Sequence, residues 1–156
     1  MRDKGRLWPT GVLFMALFSC AGTRPTDLGV AGGHLAACPS SPNCVSSDAD
    51  PEDATHHVAP LVLAAEPEAA WRAAETAVAG LPRSEIVAHR PDYLWAECTS
   101  ALMGFVDDLE LHLRADEGII AVRSASRVGY GDIGVNRSRV EELRRTLVAG
   151  GAVRAQ

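Results

Sequence analysis

Residues 105–114, FVDDLELHLR, alternate strictly between two sets of side chains. Phe105, Leu109, Leu111 and Leu113 fall on one side, and Val106, Asp108, Glu110, His112 and Arg114 on the other. A period of two is the signature of a β-strand with unlike faces. Asp116-Glu117-Gly118 follows as a turn, and GIIAVRSAS returns as a second strand. A chain committed to such a hairpin must cover its apolar face, which calls for helices or a second sheet.

The flanking segments supply the cover. Pro67 suits a first helical position, and Trp71, Ala74, Val78 and Leu81 recur on one helical face before Gly80 and Pro82 end the run. VAPLVL, from Val58, reads as a short strand, as do SEIVAH and DYLWAECTS around an Arg90-Pro91-Asp92 turn. Tyr93 and Trp95 share one face and suit sheet packing better than ligand stacking. A last helix carries Val140, Leu143 and Leu147 on one side. Its start is open: Asp132, Asn136 and Ser138 each suit a cap, and Ser138 with Glu141 forms a capping-box pattern. The expected fold is α+β, an antiparallel β meander in β-α-β-β-β-β-α order with helices packed on one face.

The N-terminus reads as an export signal. MRDKGR is basic, and WPTGVLFMALFS is apolar but shorter than the roughly 20 residues of a membrane-spanning helix. It ends in Leu17-Phe18-Ser19-Cys20-Ala21, which resembles a bacterial lipobox, with Phe18 bulkier than usual at its position. The expected organisation is a lipoprotein signal peptide over 1–19, lipidation at Cys20 and a flexible tether over 20–37. A single α+β domain over 38–150 and a disordered tail over 151–156 complete it. The destination is the cell envelope, anchored by lipid and facing the periplasm or exterior.

Export places Cys38 and Cys44 in an oxidising compartment, where the short CPSSPNC loop favours a disulfide between them and leaves Cys98 as a free thiol. The competing arrangement, a metal held by these cysteines and two of His34, His56 and His57, has a wider cysteine spacing than zinc sites use. No metal and no cofactor are expected. The net charge of −5 argues against a nucleic-acid partner. Residues 119–156 are nevertheless basic, with seven arginines against three acids. Partners are expected to be the membrane, through the lipid, and a small polar ligand or an envelope protein. The domain is expected to be monomeric.

SASRVGYGDIGVNRSRVEEL, residues 124–143, is crowded with polar and turn-forming residues. Asp107 interrupts the apolar side of its strand, and an unpaired buried carboxylate is costly. Ser124 and Ser126 share one face of the next strand, Arg123 and Arg127 the other. Asn136, if helical, lies below Val140 and Leu143. Asp107, the serines or an arginine, and Asn136 are therefore expected to meet under the last helix. Three readings follow. The cluster braces a corner, with the Gly129, Gly131 and Gly134 backbones making the turn. Alternatively, the glycine-rich corner and helix N-terminus receive an anion with Arg127 or Arg137. In the third reading Asp107 or Asp108 serves Ser124 or Ser126 as the base of a hydrolase, although no serine-hydrolase elbow is present.

CPSSPNCVSS, DYLWAECTSALMGFVDDLELHL and VRSASRVGYGDIGVNRSRVEELR together resemble the bacterial "domain of unknown function 1499" family, from Cys38 to about Leu147. Its motif positions map to Cys38, Ser41, Pro42, Asn43, Cys44, Asp107, Asp108, Ser124, Ser126, Arg127, Gly129, Asp132, Gly134, Asn136 and Arg137. The resemblance implies a small exported or membrane-tethered domain and no particular reaction. The function expected is that of a lipid-anchored envelope protein, serving as a binding module or, in the alternatives, as a hydrolase or a purely structural component.

Overall fold

The structure, a computed structural model, describes residues 21–155. Cys20 and the signal segment lie outside the described residues. Four long strands form the meander: β5 (Ser84–His89), β6 (Tyr93–Thr99), β7 (Val106–Arg114) and β8 (Ile119–Ser126). Two short strands, β3 (Cys44–Ser46) and β4 (Leu61–Val62), pair with successive parts of β8, completing a six-stranded sheet in the order β3-β8-β7-β6-β5 with β4 also on β8. All these pairings are antiparallel. A two-stranded hairpin, β1 (Val30–Ala31) with β2 (His34–Leu35), forms a separate small sheet. Helices α1 (Pro67–Ala79) and α2 (Val135–Ala149) pack against each other and cover one face of the sheet. The expected α+β meander with its helices on one face is therefore the observed fold. β1, β2 and β3 are additional to the expected order.

Local chemistry sets the ends of these elements. Pro67 opens α1, and its missing N–H falls where a helix has no acceptor to offer. Gly118 closes the β7–β8 turn at φ 67, a left-handed conformation that glycine adopts without a Cβ clash. Register follows alternation: Leu109 faces Ser124 and Leu111 faces Val122 across the β7–β8 pair. Leu94, Ala96, Leu109, Leu111, Ile120 and Val122 meet Trp71, Ala74, Val78, Val140 and Leu143 in one core.

The other face is also covered. Glu110 is completely buried, and Asp108, His112 and Arg123 are nearly so. Residues 21–37, expected as a flexible tether, lie along this face instead. The Gly29 N–H donates to Glu110 (2.9 Å), the Leu35 N–H to Asp48 (2.8 Å), and the Leu35 side chain packs with Tyr93 and Ala121. At the strap's start, a Cβ on Gly22 would come within 2.9 Å of both Arg127 and Val128 side chains. Only glycine permits that approach. The alternating polar face of β7 is thus an ion-paired layer beneath a strap. None of the helices among the described residues is long and apolar enough to cross a membrane.

The chain end departs from expectation in the same way. Residues 151–154 were expected in a disordered tail, but Ala152 and Val153 are buried. Ala64 donates to Ala152 O (2.9 Å), and Arg154 donates to Val62 O (2.8 Å). The physical reason is the bare outer edge of β4, whose backbone groups need partners. Val153→Ala is expected to cost about 2 kcal/mol, the worth of two buried methyls and a small cavity. Urea unfolding of the variant measures this, and an unchanged midpoint would mean that the end is not docked.

Candidate functional site

The carboxyl ends of β6 and β8 and the start of β7 lie at one end of the sheet, where Thr99 pairs with Val106 and Asp107 with Ser126. Two loops rise from that end, 100–105 between β6 and β7 and 127–134 between β8 and α2. Beneath them sits the cluster expected from the sequence. Asn136 is fully buried in the first turn of α2. Its amide oxygen accepts from Ser124 Oγ (2.7 Å) and from Arg139 Nη1 (2.7 Å). Its amide nitrogen lies within hydrogen-bond distance of Asn43 O (3.1 Å), Ser126 Oγ (2.9 Å) and Asp132 Oδ2 (2.8 Å). Asn43, in turn, donates to Gly129 O (2.8 Å).

Asp107 acquires its counter-charge from Arg139, whose Nη2 lies 2.6 Å from Asp107 Oδ2, while Nη1 also donates to Ser124 Oγ (2.9 Å). Arg139 was not among the expected residues. The available signal was position: it follows Asn136 by three residues, one turn along the helix.

The remaining expected residues divide from this cluster. Asp108 and Arg127 lie on the strap side. Arg127 donates to Asp108 through Nε (2.9 Å) and Nη2 (2.6 Å) and to Glu97 (2.6 Å), and Trp95 Nε1 donates to Asp108 (2.7 Å). The hydrogen bonds to these two carboxylates raise the Arg127 pKa further above its already high value. From the strap, Arg24 adds a bond to Glu97 (2.6 Å) and lies over the Trp95 ring. Deeper on this face, Glu110 takes Arg123 (3.0 Å) and Tyr93 OH (2.8 Å). Burial, followed by the Glu110 charge, pushes the Tyr93 pKa well up, so its hydroxyl stays protonated. Arg137 is used elsewhere again. It donates to the carbonyls of His57, Ala54 and Thr55 and ties that loop to α2.

The start of α2 corrects the anion expectation. Gly134, at φ 78, precedes the helix without a capping side chain of its own. Asp132 supplies the acceptor instead, taking the N–H groups of Gly134 (3.0 Å) and Asn136 (2.7 Å). The Ser138 capping box is not formed; the Ser138 N–H bonds Gly134 O within the helix. The helix terminus already holds a carboxylate, and neither Arg127 nor Arg137 is turned to it.

Cys38 and Cys44 form a disulfide, so their sulfurs are not offered to a metal. Among the described residues no group of three or more His, Cys, Asp or Glu side chains is placed to hold one. Cys98 is a free, buried thiol directly across the register from Asp107. Burial raises its pKa, which keeps it protonated and a weak nucleophile.

Two adjoining hollows open above the cluster. One, of about 400 Å³, is lined by Arg83, Cys98, Ser100, Ile133, Ser138 and Arg139 among others. The second, of about 350 Å³, is lined by Ser100, Phe105, Asp107, Ser126, Asp132 and Val135 among others. Ser100 and Val135 border both. The Asp107–Arg139 pair therefore has its acid in one hollow and its base in the other.

These features define an α+β domain with helices on one sheet face, a strap on the other, and a polar floor under two loops. Residues 34–147 match the model of a family described as "Protein of unknown function (DUF1499)", and the chain belongs to that family. Neither the curated proteins nor the solved structures gave a match.

Removing one member of a buried ion pair strands the other. Asp107→Asn is expected to lose about 3 kcal/mol, with Arg139→Met losing a similar amount. The double variant is expected to lose clearly less than the sum. Additive losses in urea titrations would deny the coupling.

Burial opposes charge on Asp132, but the N–H groups of Asn136 and Gly134 outweigh it and hold its pKa below the ordinary carboxylate value. A lowered folded pKa gives stability that is complete above the unfolded pKa of about 4 and is lost as pH falls through the folded value. Below about pH 4, wild type is therefore expected to lose stability more steeply than Asp132→Asn. Superimposable acid limbs in urea titrations would rule this out.

Proposed function

We propose that this chain is an exported, lipid-anchored envelope protein whose domain binds a small ligand, through a polar group, in the cleft between the 100–105 and 127–134 loops. The observation that carries the reading is the divided ion pair: Asp107 and Arg139 each border a hollow, and the hollows share a wall at Ser100 and Val135. A ligand group that meets this floor finds an acceptor on one side and a donor on the other. The surrounding apolar walls reward a ligand with a hydrocarbon or ring body. Such a cleft supports binding over a purely structural role.

The hydrolase alternative gains less support. Ser124 is fully buried and its hydroxyl already joins Asn136 and Arg139. Asp108 lies on the opposite face, engaged by Arg127 and Trp95. Among the described residues no serine hydroxyl is hydrogen-bonded to Asp107 or Asp108.

Val135 is the place to test the cleft, because it is half exposed and borders both hollows. A compound library is screened for thermal stabilisation of the wild type and of Val135→Trp, whose ring fills the shared space. Ligands that raise the wild-type Tm by about 2 °C or more are expected to lose that effect in Val135→Trp. A library without a wild-type hit, or hits that survive the substitution, would sink the reading.

A further inference from the structure

Seven large hydrophobic side chains are notably exposed among the described residues, and six of them stand at one end of the sheet. Leu102, Met103 and Phe105 belong to the 100–105 loop; Tyr130, Ile133 and Val135 belong to the 127–135 segment. Leu102 is 94% exposed and Ile133 104%. Scattered exposed hydrophobics need no explanation, but a cluster on two neighbouring loops does. Ile133 adds a second observation. It holds φ 54, a left-handed conformation that is strained for a β-branched residue, and the strain directs an apolar side chain fully into solvent.

The strap bears on what could cover this patch. The described chain starts at Ala21, and Gly22 lies against Arg127 and Val128, the first residues after β8. The described chain therefore begins, one residue after Cys20 in sequence, beside the start of the 127–134 loop. Among the described residues, the opposite end of the sheet, with the exposed Asp116 in the β7–β8 turn, has no comparable patch.

We infer that Leu102, Met103, Phe105, Tyr130, Ile133 and Val135 form a membrane-seating surface that enters the bilayer interface next to a lipidated Cys20. This inference rests on the lipid-anchored reading given above. Seating of this kind draws on apolar burial, so it is insensitive to salt, unlike adsorption through a basic patch. It also turns the cleft toward the lipid and the disulfide-bearing strand β3 alongside it.

The test uses the full chain, produced in a bacterium and purified from its membranes. Mass spectrometry reads whether Cys20 carries acyl groups. Ile133→Cys and, as a control at the far end, Asp116→Cys are labelled with an environment-sensitive dye. Both are reconstituted in phosphatidylethanolamine–phosphatidylglycerol vesicles, with and without a quencher attached to the acyl chains. The dye at 133 is expected to shift to the blue and to be quenched, equally in low and high salt, while the dye at 116 stays in water. With Cys20 acylated and the dye at 133 still in water, the seating is overturned and the anchor stands. A dye shielded from water but untouched by the quencher means that a protein surface covers the patch, which also overturns it. An unmodified Cys20 removes the anchor, and the seating with it.

Discussion

A single buried amide holds the loop-bearing end of this domain together. Asn136 reaches the loop before β3, the end of β8, the turn before α2 and Arg139 of α2 itself. An asparagine offers both donors and acceptors on one short, stiff side chain, so it can satisfy groups from several elements at once. In a low-dielectric interior each such bond is strong when made and costly when missing. The helix start is therefore fixed relative to the sheet by directional bonds, and the apolar faces of α1 and α2 fill the space below. The 127–134 loop is tied to this amide through Asp132.

The sheet carries two different solutions to burial. On the helix side it is apolar except at the end where Asp107 meets Arg139. On the strap side it is a layer of alternating carboxylates and arginines, Glu97, Asp108, Glu110, Arg123 and Arg127. Burying charge is expensive, and pairing recovers only part of that cost. What the layer provides is direction: the Gly29 N–H finds Glu110 and the Arg24 side chain finds Glu97, and the strap has one place to lie. Most of the strap precedes residues 34–147, the region that matches the family model.

The period-two pattern of residues 105–114 sufficed to place β7, its turn and β8, because side-chain alternation and sheet register are the same physical fact. Asp107 was legible as a misplaced acid, and its meeting with Ser124, Ser126 and Asn136 followed from the faces these residues occupy. Arg139 was passed over because the helix start was open between three caps, and only a helix that already includes Asn136 sets Arg139 one turn beyond it. Asp108 and Arg127 were visible as polar residues on the opposite face, but nothing local showed that the face would be enclosed. The strap and the chain end are tied to the sheet by backbone N–H and carbonyl groups, with Leu35, Ala152 and Val153 as the apolar side chains they bury. Such bonds leave no trace in hydropathy, so glycine-rich residues 21–37 and AGGAVRAQ read as loose chain.

A strap is also a length of chain withdrawn from use. Free chain over residues 20–37 would wander roughly 20–25 Å from its root. Two residues, from Cys20 to Gly22, reach about 7 Å at full stretch. A domain rooted at Cys20 would have almost no leash. It would not sample the depth of the compartment or reach across to an opposing surface. Its encounters would be confined to the plane of its own membrane, and whatever it meets would have to arrive within that plane or come down to it.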